Sequence, residues 1–222
     1  VDSFNLCGLC RSGQHAIIFW LLENFGTPKW DGQRQIWIEP ENNEYIFINN
    51  VNNYLRGPIT EVSKYKRVIK SFEDIYLIEN NTYYICRDFL NMMASRIKKW
   101  PPNGSNYAFS FQNVMSIWIN QNSHGSPYAI YYNKWLTDKD YRDEVASRFN
   151  LKNIDKKLDF VSNMGDGSSF IGRNLEKNKT KYFERYKEVE FDDMMKSQIL
   201  SNKQLLKLNK EIYGIDIEEC LS

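Results

Sequence analysis

Residues 4–25 constrain the fold more than any other stretch. Phe4 to Cys10 reads as a short buried strand and Gly13 to Phe25 as a helix, with only Arg11 and Ser12 between them. The helix carries Ala16, Ile17, Ile18, Phe19, Trp20, Leu21, Leu22 and Phe25, so nearly every face is apolar and the helix must be buried. Gly26-Thr27-Pro28 stops it. A strand that runs straight into a buried helix is the opening unit of an α/β domain, with helices flanking a mainly parallel sheet. In such sheets ligands sit at the carboxyl ends of the strands. Backbone N–H groups at the helix start converge on one spot, and the helix dipole favours an anion there. Gly8 and Gly13 lie in or beside this loop, Arg11 adds a fixed cation, and Ser12, Gln14 and His15 add donors.

The rest of the chain repeats the alternation. Gln35–Ile38, Tyr45–Ile48, Arg67–Phe72, Thr82–Cys86 and Tyr128–Tyr132 read as strands. Asp88–Trp100, Ala108–Asn122, Thr137–Phe149 and Ser201–Tyr213 read as helices, the third with a Thr or Asp cap and the last closed by Gly214. Residues 150–181 are rich in Gly, Ser, Asn and Lys and carry little periodicity, which marks a functional loop or a lid over a cofactor. The expected architecture is a single three-layer α/β domain over residues 1–222.

Composition narrows the function. With 29 basic and 28 acidic residues among 222, the net charge of +1 argues against a protein that coats nucleic acid. The longest strongly apolar run, Ala16–Leu22, is far short of the roughly 20 residues of a membrane span. No basic stretch followed by an apolar one forms a signal peptide, although the first residue is not Met and a trimmed leader stays open. The expected location is cytoplasmic, and the Asn, Lys and Ile bias points to a microbial or viral origin. Cys7 and Cys10 have the spacing of a zinc half-site, but Cys86, Cys220, His15 and His124 supply no second pair. Free thiols and no metal are the expectation.

A second segment carries chemistry. In Tyr83-Tyr-Ile-Cys-Arg-Asp-Phe-Leu-Asn-Met-Met-Ala-Ser-Arg96, Arg87 stands at a strand's carboxyl end and Ser95 lies eight residues on, inside the helix that follows. Arg87 can reach the same crevice as the first loop. No Gly-Lys-Ser/Thr follows that loop, which disfavours magnesium-dependent hydrolysis of a nucleoside triphosphate.

Together these segments resemble the sulfotransferase family that uses 3′-phosphoadenosine 5′-phosphosulfate (PAPS). In that family a loop of the type Pro-Lys/Arg-Ser-Gly-Thr holds the 5′-phosphosulfate; here the loop is Cys10-Arg11-Ser12-Gly13-Gln14-His15. A later Arg-Asp/Asn-Pro and a Ser at fixed distance hold the 3′-phosphate; here these are Arg87-Asp88-Phe89 and Ser95. Val68–Asp74 stands where the family has a strand ending beside the acceptor. Ile130-Tyr-Tyr-Asn-Lys-Trp-Leu136 is similar to its Tyr-Glu-x-Leu strand, which would put Tyr132 near the adenine. Ser168-Ser169-Phe170 is similar to an element that closes over the adenine. The resemblance spans roughly residues 4–190. Gln14 and His15, Phe89 and Asn133 depart from the pattern, and the late Arg-Lys-Gly signature is replaced by position only, by Arg173, Arg185 or Lys187.

The resemblance implies a fold like that of the P-loop nucleotide triphosphatases. The activity it implies is sulfuryl transfer from PAPS to a hydroxyl or amine of a small molecule or glycan, leaving adenosine 3′,5′-bisphosphate. Arg11, the loop N–H groups and Lys70 would stabilise the developing charge. Glu73 is the first choice of general base, then Asp74, then His15. Acceptor specificity would lie in residues 27–66, 100–125 and the late loop. The competing readings are a degenerate P-loop kinase or nucleotide-binding module, and a carbohydrate-binding protein without activity on the same fold.

Overall fold

The computed structural model of the protein describes residues 2–9, 12–26, 29–31, 36–38, 45–48, 66–73, 81–101, 105–125, 128–152, 155 and 183–222. The strands are β1 (Asp2–Gly8), β2 (Lys29–Asp31), β3 (Ile36–Ile38), β4 (Tyr45–Ile48), β5 (Arg67–Glu73), β6 (Thr82–Cys86) and β7 (Ala129–Tyr131). They form one sheet in the order β2-β3-β4-β5-β1-β6-β7. β4, β5, β1, β6 and β7 pair in parallel, and β2 and β3 add an antiparallel edge. The order reverses at β1: from β1 the chain goes to the far edge at β2, works back inward through β3 and β4 to β5, and then crosses to lay β6 and β7 on the other side. That reversal opens the crevice in which sheets of this kind bind ligands.

Helices cover both faces. They are α1 (Gln14–Phe25), α2 (Phe89–Lys99), α3 (Ser105–Ser123), α4 (Tyr132–Thr137), α5 (Lys139–Arg148), α6 (Asp193–Ser201), α7 (Lys203–Tyr213) and α8 (Ile217–Leu221), with a 3-10 turn at Arg185–Glu188. Alternation along the strands assigns the faces. Phe4 and Leu6 of β1 and Ile85 of β6 pack with Ile17, Ile18 and Leu21 of α1, Trp135 of α4 and Val145 of α5. Cys7 of β1 and Tyr84 and Cys86 of β6 form the opposite surface. A further core joins α2, α3, α6, α7 and α8 through Phe89, Trp118, Met195, Leu205 and Ile217. Among the described residues, Cys7, Cys86 and Cys220 are free thiols, and burial pushes the Cys86 thiol well up, so it stays protonated and inert. No helix among the described residues is long and apolar enough to cross a membrane.

Several boundaries differ from the sequence expectation. β1 ends at Gly8, two residues before Cys10. β5 includes Glu73, so this residue closes the strand and does not follow it. The strand expected to reach Tyr132 stops at Tyr131, and Tyr132 opens α4. The helix expected over Thr137–Phe149 runs from Lys139 to Arg148, and of its two expected caps Asp138 serves: its extended backbone lets its carboxylate accept the Tyr141 N–H at 3.1 Å. The single closing helix is joined by α6 and α8, and β2 was not expected. The loop over 150–181 lies outside the described residues except at 150–152 and 155. Asp155 there takes a two-pronged ion pair from the buried Arg142 at 2.9 and 3.1 Å.

A non-proline residue at the first position of α2, Phe89, has a structural consequence. Its N–H is present and buried, and it donates to Asn209 Oδ1 at 2.9 Å. Asn209 Nδ2 in turn donates to the Ile215 carbonyl at 2.9 Å. One amide therefore fastens α7 to the start of α2. Asn209→Leu keeps the volume and strands both backbone groups, which should cost roughly 2–4 kcal/mol. Urea unfolding checks this: a lower midpoint at unchanged slope is expected, and a wild-type midpoint would contradict the role.

Candidate anion site

β1, β6 and β7 lie side by side in parallel and run on to α1, α2 and α4. The starts of α1 and α2 therefore share one edge of the sheet, where their dipoles favour negative charge. At the first of them Gly13 is the N-cap in the left-handed region, with φ 88°, and no side chain caps the helix. Ser12 and Gln14 are only 1% and 2% exposed. Gln14 Nε2 donates to the Phe72 carbonyl at 3.1 Å and ties the helix start to the end of β5. Among the described residues, Ser12 Oγ and Gln14 Oε1 find no hydrogen-bond partner. Both atoms crowd over Gly8: a Cβ there would lie 2.9 Å and 2.8 Å from them. Buried oxygens left without a partner at an uncapped helix start are polar capacity held ready for a ligand or for water.

The ring of Tyr132 connects this loop to the next strand. It lies directly against Gly13, where a Cβ would run into the ring. The Arg87 guanidinium sits over the same ring, 5.1 Å from its centroid. Trp135 stacks on it at 5.8 Å. Arg87 is 3% exposed. Its carbonyl accepts the Trp118 Nε1–H at 2.7 Å, and its Nε is 3.9 Å from Asp88 Oδ2. Asp88 is the N-cap of α2 and accepts from the Asn91 backbone N–H at 2.9 Å. Its second oxygen accepts from Asn133 Nδ2 at 3.0 Å.

Farther along α2, Ser95 Oγ accepts a hydrogen bond from an Arg185 guanidinium nitrogen at 3.1 Å. Arg185 is 5% exposed. Asn91 and Ser95 lie one turn apart on the same face of α2, and Arg87 stands just before its N-cap. The site thus carries buried guanidinium groups from Arg87 and Arg185 at the start and on the flank of one helix.

Of the residues singled out in the sequence, Ser12, Gly13, Gln14, Tyr132 and Arg87 form one contiguous group, and Ser95 of α2 and Arg185 of the 3-10 turn form a second. Glu73 is the register partner of Gly8, so its backbone is level with the beginning of the loop. Lys70 pairs with Asn5, three residues and about 10 Å below that level. Its strand neighbour Ile69 packs on the α1 face, so Lys70 stands on the opposite one. His15 is half-buried in the first turn of α1. Tyr132 is itself buried, clamped between Gly13, Arg87 and Trp135. Arg11, Ser169 and Phe170, with Asp74 and Arg173, lie outside the described residues. His124 is exposed in a turn and stacks on Tyr84 at 4.7 Å.

Sequence reasoning missed Asn91, Asn133 as a partner of Asp88, and Trp118. Nothing in the local sequence marks Asn91, whose partners Phe183 and Tyr186 lie more than ninety residues away. No protein-family model, curated protein or solved structure matches the chain, so a functional reading rests on these residues themselves.

Proposed function

We propose that the chain is a PAPS-dependent sulfotransferase acting on a hydroxyl or amine, with glycans among the candidate acceptors. The observation that carries this reading is the hydrogen bond from Arg185 to Ser95, residues ninety positions apart. The motif resemblance assigns Ser95 to the 3′-phosphate and asks for a cation from late in the chain beside it. Arg185 is such a cation. Arg87, at the start of the same helix, would be its second charge. The uncapped start of α1, with Ser12, Gln14 and Arg11, would hold the 5′-phosphosulfate.

On this reading the bond between sulfur and the 5′-phosphate oxygen breaks as the acceptor's oxygen or nitrogen bonds to sulfur. The acceptor's proton passes to a carboxylate, for which the level of Glu73 with Gly8 makes it the first choice. Negative charge grows on the departing phosphate oxygen, where N–H groups and Arg11 would stabilise it without a covalent enzyme intermediate. Tyr132, buried under Gly13, shapes the loop.

The test is calorimetric. Arg185→Ala should weaken adenosine 3′,5′-bisphosphate by roughly tenfold to a hundredfold while leaving adenosine 5′-phosphate within about threefold, because a charge-assisted hydrogen bond to one phosphate is lost. Equal weakening of both ligands would remove Arg185 from the 3′-phosphate site and the main support for the reading with it.

A further inference from the structure

We infer that Asn91 is a positioning residue: its side-chain amide locks the segment carrying Arg185 onto α2 and so sets how well the Ser95–Arg185 pair grips an anion. The lock follows from the geometry. The identity of the anion as a 3′-phosphate rests on the sulfotransferase reading above.

Asn within a helix is ordinarily neutral to unfavourable unless its amide finds partners, because it competes with the backbone. Asn91 is fully buried there, and its amide is engaged three times. Nδ2 donates to Asp88 Oδ1 at 2.7 Å and to the Phe183 carbonyl at 2.9 Å. Oδ1 accepts the Tyr186 N–H at 3.4 Å. Arg185 therefore lies between tethered residues on either side. One turn farther along α2 its guanidinium reaches Ser95 Oγ, and that hydroxyl donates back to the Asn91 carbonyl at 2.9 Å. The contacts close a ring: Asn91, Phe183 to Tyr186, Arg185, Ser95, Asn91.

The chemistry demands an amide. Two of the partners are acceptors and one is a donor, and among short side chains only Asn offers two N–H donors and an oxygen. An Asp would turn oxygens toward the Phe183 carbonyl and the Asp88 carboxylate. The amide's orientation is itself fixed by Asp88, which Asn133 and Arg87 hold from the other side. A long Arg side chain binds an anion better when its base does not have to be ordered on binding, which is what this ring provides.

The experiment compares wild type, Asn91→Ala, Arg185→Ala and the double variant by titration with adenosine 3′,5′-bisphosphate and with adenosine 5′-phosphate. Hydrogen exchange at the Tyr186 amide is followed alongside. Asn91→Ala should lower bisphosphate affinity about tenfold and leave the 5′-phosphate within about twofold. Added to Arg185→Ala it should change bisphosphate affinity by less than about twofold, since it acts through Arg185. The Tyr186 amide should exchange faster while the amides of 93–97 stay protected. Equal loss for both ligands, full additivity with Arg185→Ala, or unchanged exchange at Tyr186 would each overturn the proposal. Asn91→Ser adds no charge, leaves room for water, and its one short hydroxyl cannot span the three partners, so it supplies the same measurements if the Ala variant does not fold. Wild type that binds the bisphosphate no better than the 5′-phosphate would sink the cofactor reading. The exchange rate at Tyr186 in the variants would then decide the lock by itself.

Discussion

Gly13→Ala is expected to destabilise the protein by roughly 2–5 kcal/mol, a large part of the 5–15 kcal/mol typical of a folded domain. Two costs add. An L residue at φ 88° loses about 1–2 kcal/mol to contact between its Cβ and the backbone. The same Cβ runs into the Tyr132 ring, and that ring cannot retreat. Trp135 stacks on it at 5.8 Å, and the Arg87 guanidinium covers it at 5.1 Å. Forcing extra atoms into a packed region costs a further 1–3 kcal/mol or so. Gly214 supplies the control. It closes α7 with φ 68° and would meet nothing within 4 Å of an added Cβ, so Gly214→Ala should show the backbone cost alone, about 1 kcal/mol. Urea midpoints of the two variants separate the ring clash from the backbone effect. Equal shifts would mean that Tyr132 does not brace the loop.

Arg87→Ala is expected to act on both stability and binding. The guanidinium lies over the Tyr132 ring and beside the fully buried Asp88, so its removal forfeits a cation–π contact and leaves a buried carboxylate without its nearest cation. Breaking a buried pair in this way costs about 3–5 kcal/mol. The hydrogen bonds that Asp88 accepts from Asn91 and Asn133 place the result at the lower end. On the proposed function, bisphosphate affinity should also fall by tenfold to more than a hundredfold, roughly the worth of a charge-assisted bond. Arg87→Lys separates the two effects. It restores a charge near Asp88 but not the planar fork, so it should recover more of the stability than of the preference for a 3′-phosphate. Thermal unfolding and calorimetry on the pair check this. A Lys variant with wild-type discrimination would contradict it.

What the sequence made legible, and what it hid, divide along physical lines. β1, α1, β5, β6 and α2 were readable because long apolar runs and strong punctuation bound them: Gly26-Thr27-Pro28 after α1, Asp88 before α2 and Pro101 after it. The strand–helix junction at Tyr132 was not. Ala129-Ile-Tyr-Tyr132 is a continuous run of residues that suit a strand, and what makes the last one turn into α4 is packing against Gly13, far away in the chain. The start of α5 was ambiguous because Thr137 and Asp138 are both good caps, and only the geometry shows the Asp carboxylate reaching Tyr141. The two motif positions Arg87 and Ser95 were visible as spacing. Asn91 between them was not, because its value lies in contacts to Phe183 and Tyr186, more than ninety residues away. Arg185 was one of three late basic residues that position alone could not rank. Burial and the bond to Ser95 single it out among the described residues.

The central claim is that the edge of the sheet beyond β1 and β6 holds an adenosine nucleotide phosphorylated at both the 3′ and 5′ positions. A thermal-unfolding comparison tests it most directly: wild type alone, with adenosine 3′,5′-bisphosphate, and with ATP and magnesium. At a bisphosphate concentration about 100 times its dissociation constant, stabilisation should reach roughly 2.7 kcal/mol and appear as a clear rise in Tm. ATP with magnesium should give much less, since the loop lacks the lysine that grips a triphosphate. Equal or greater stabilisation by ATP with magnesium, or none by the bisphosphate, would contradict the account.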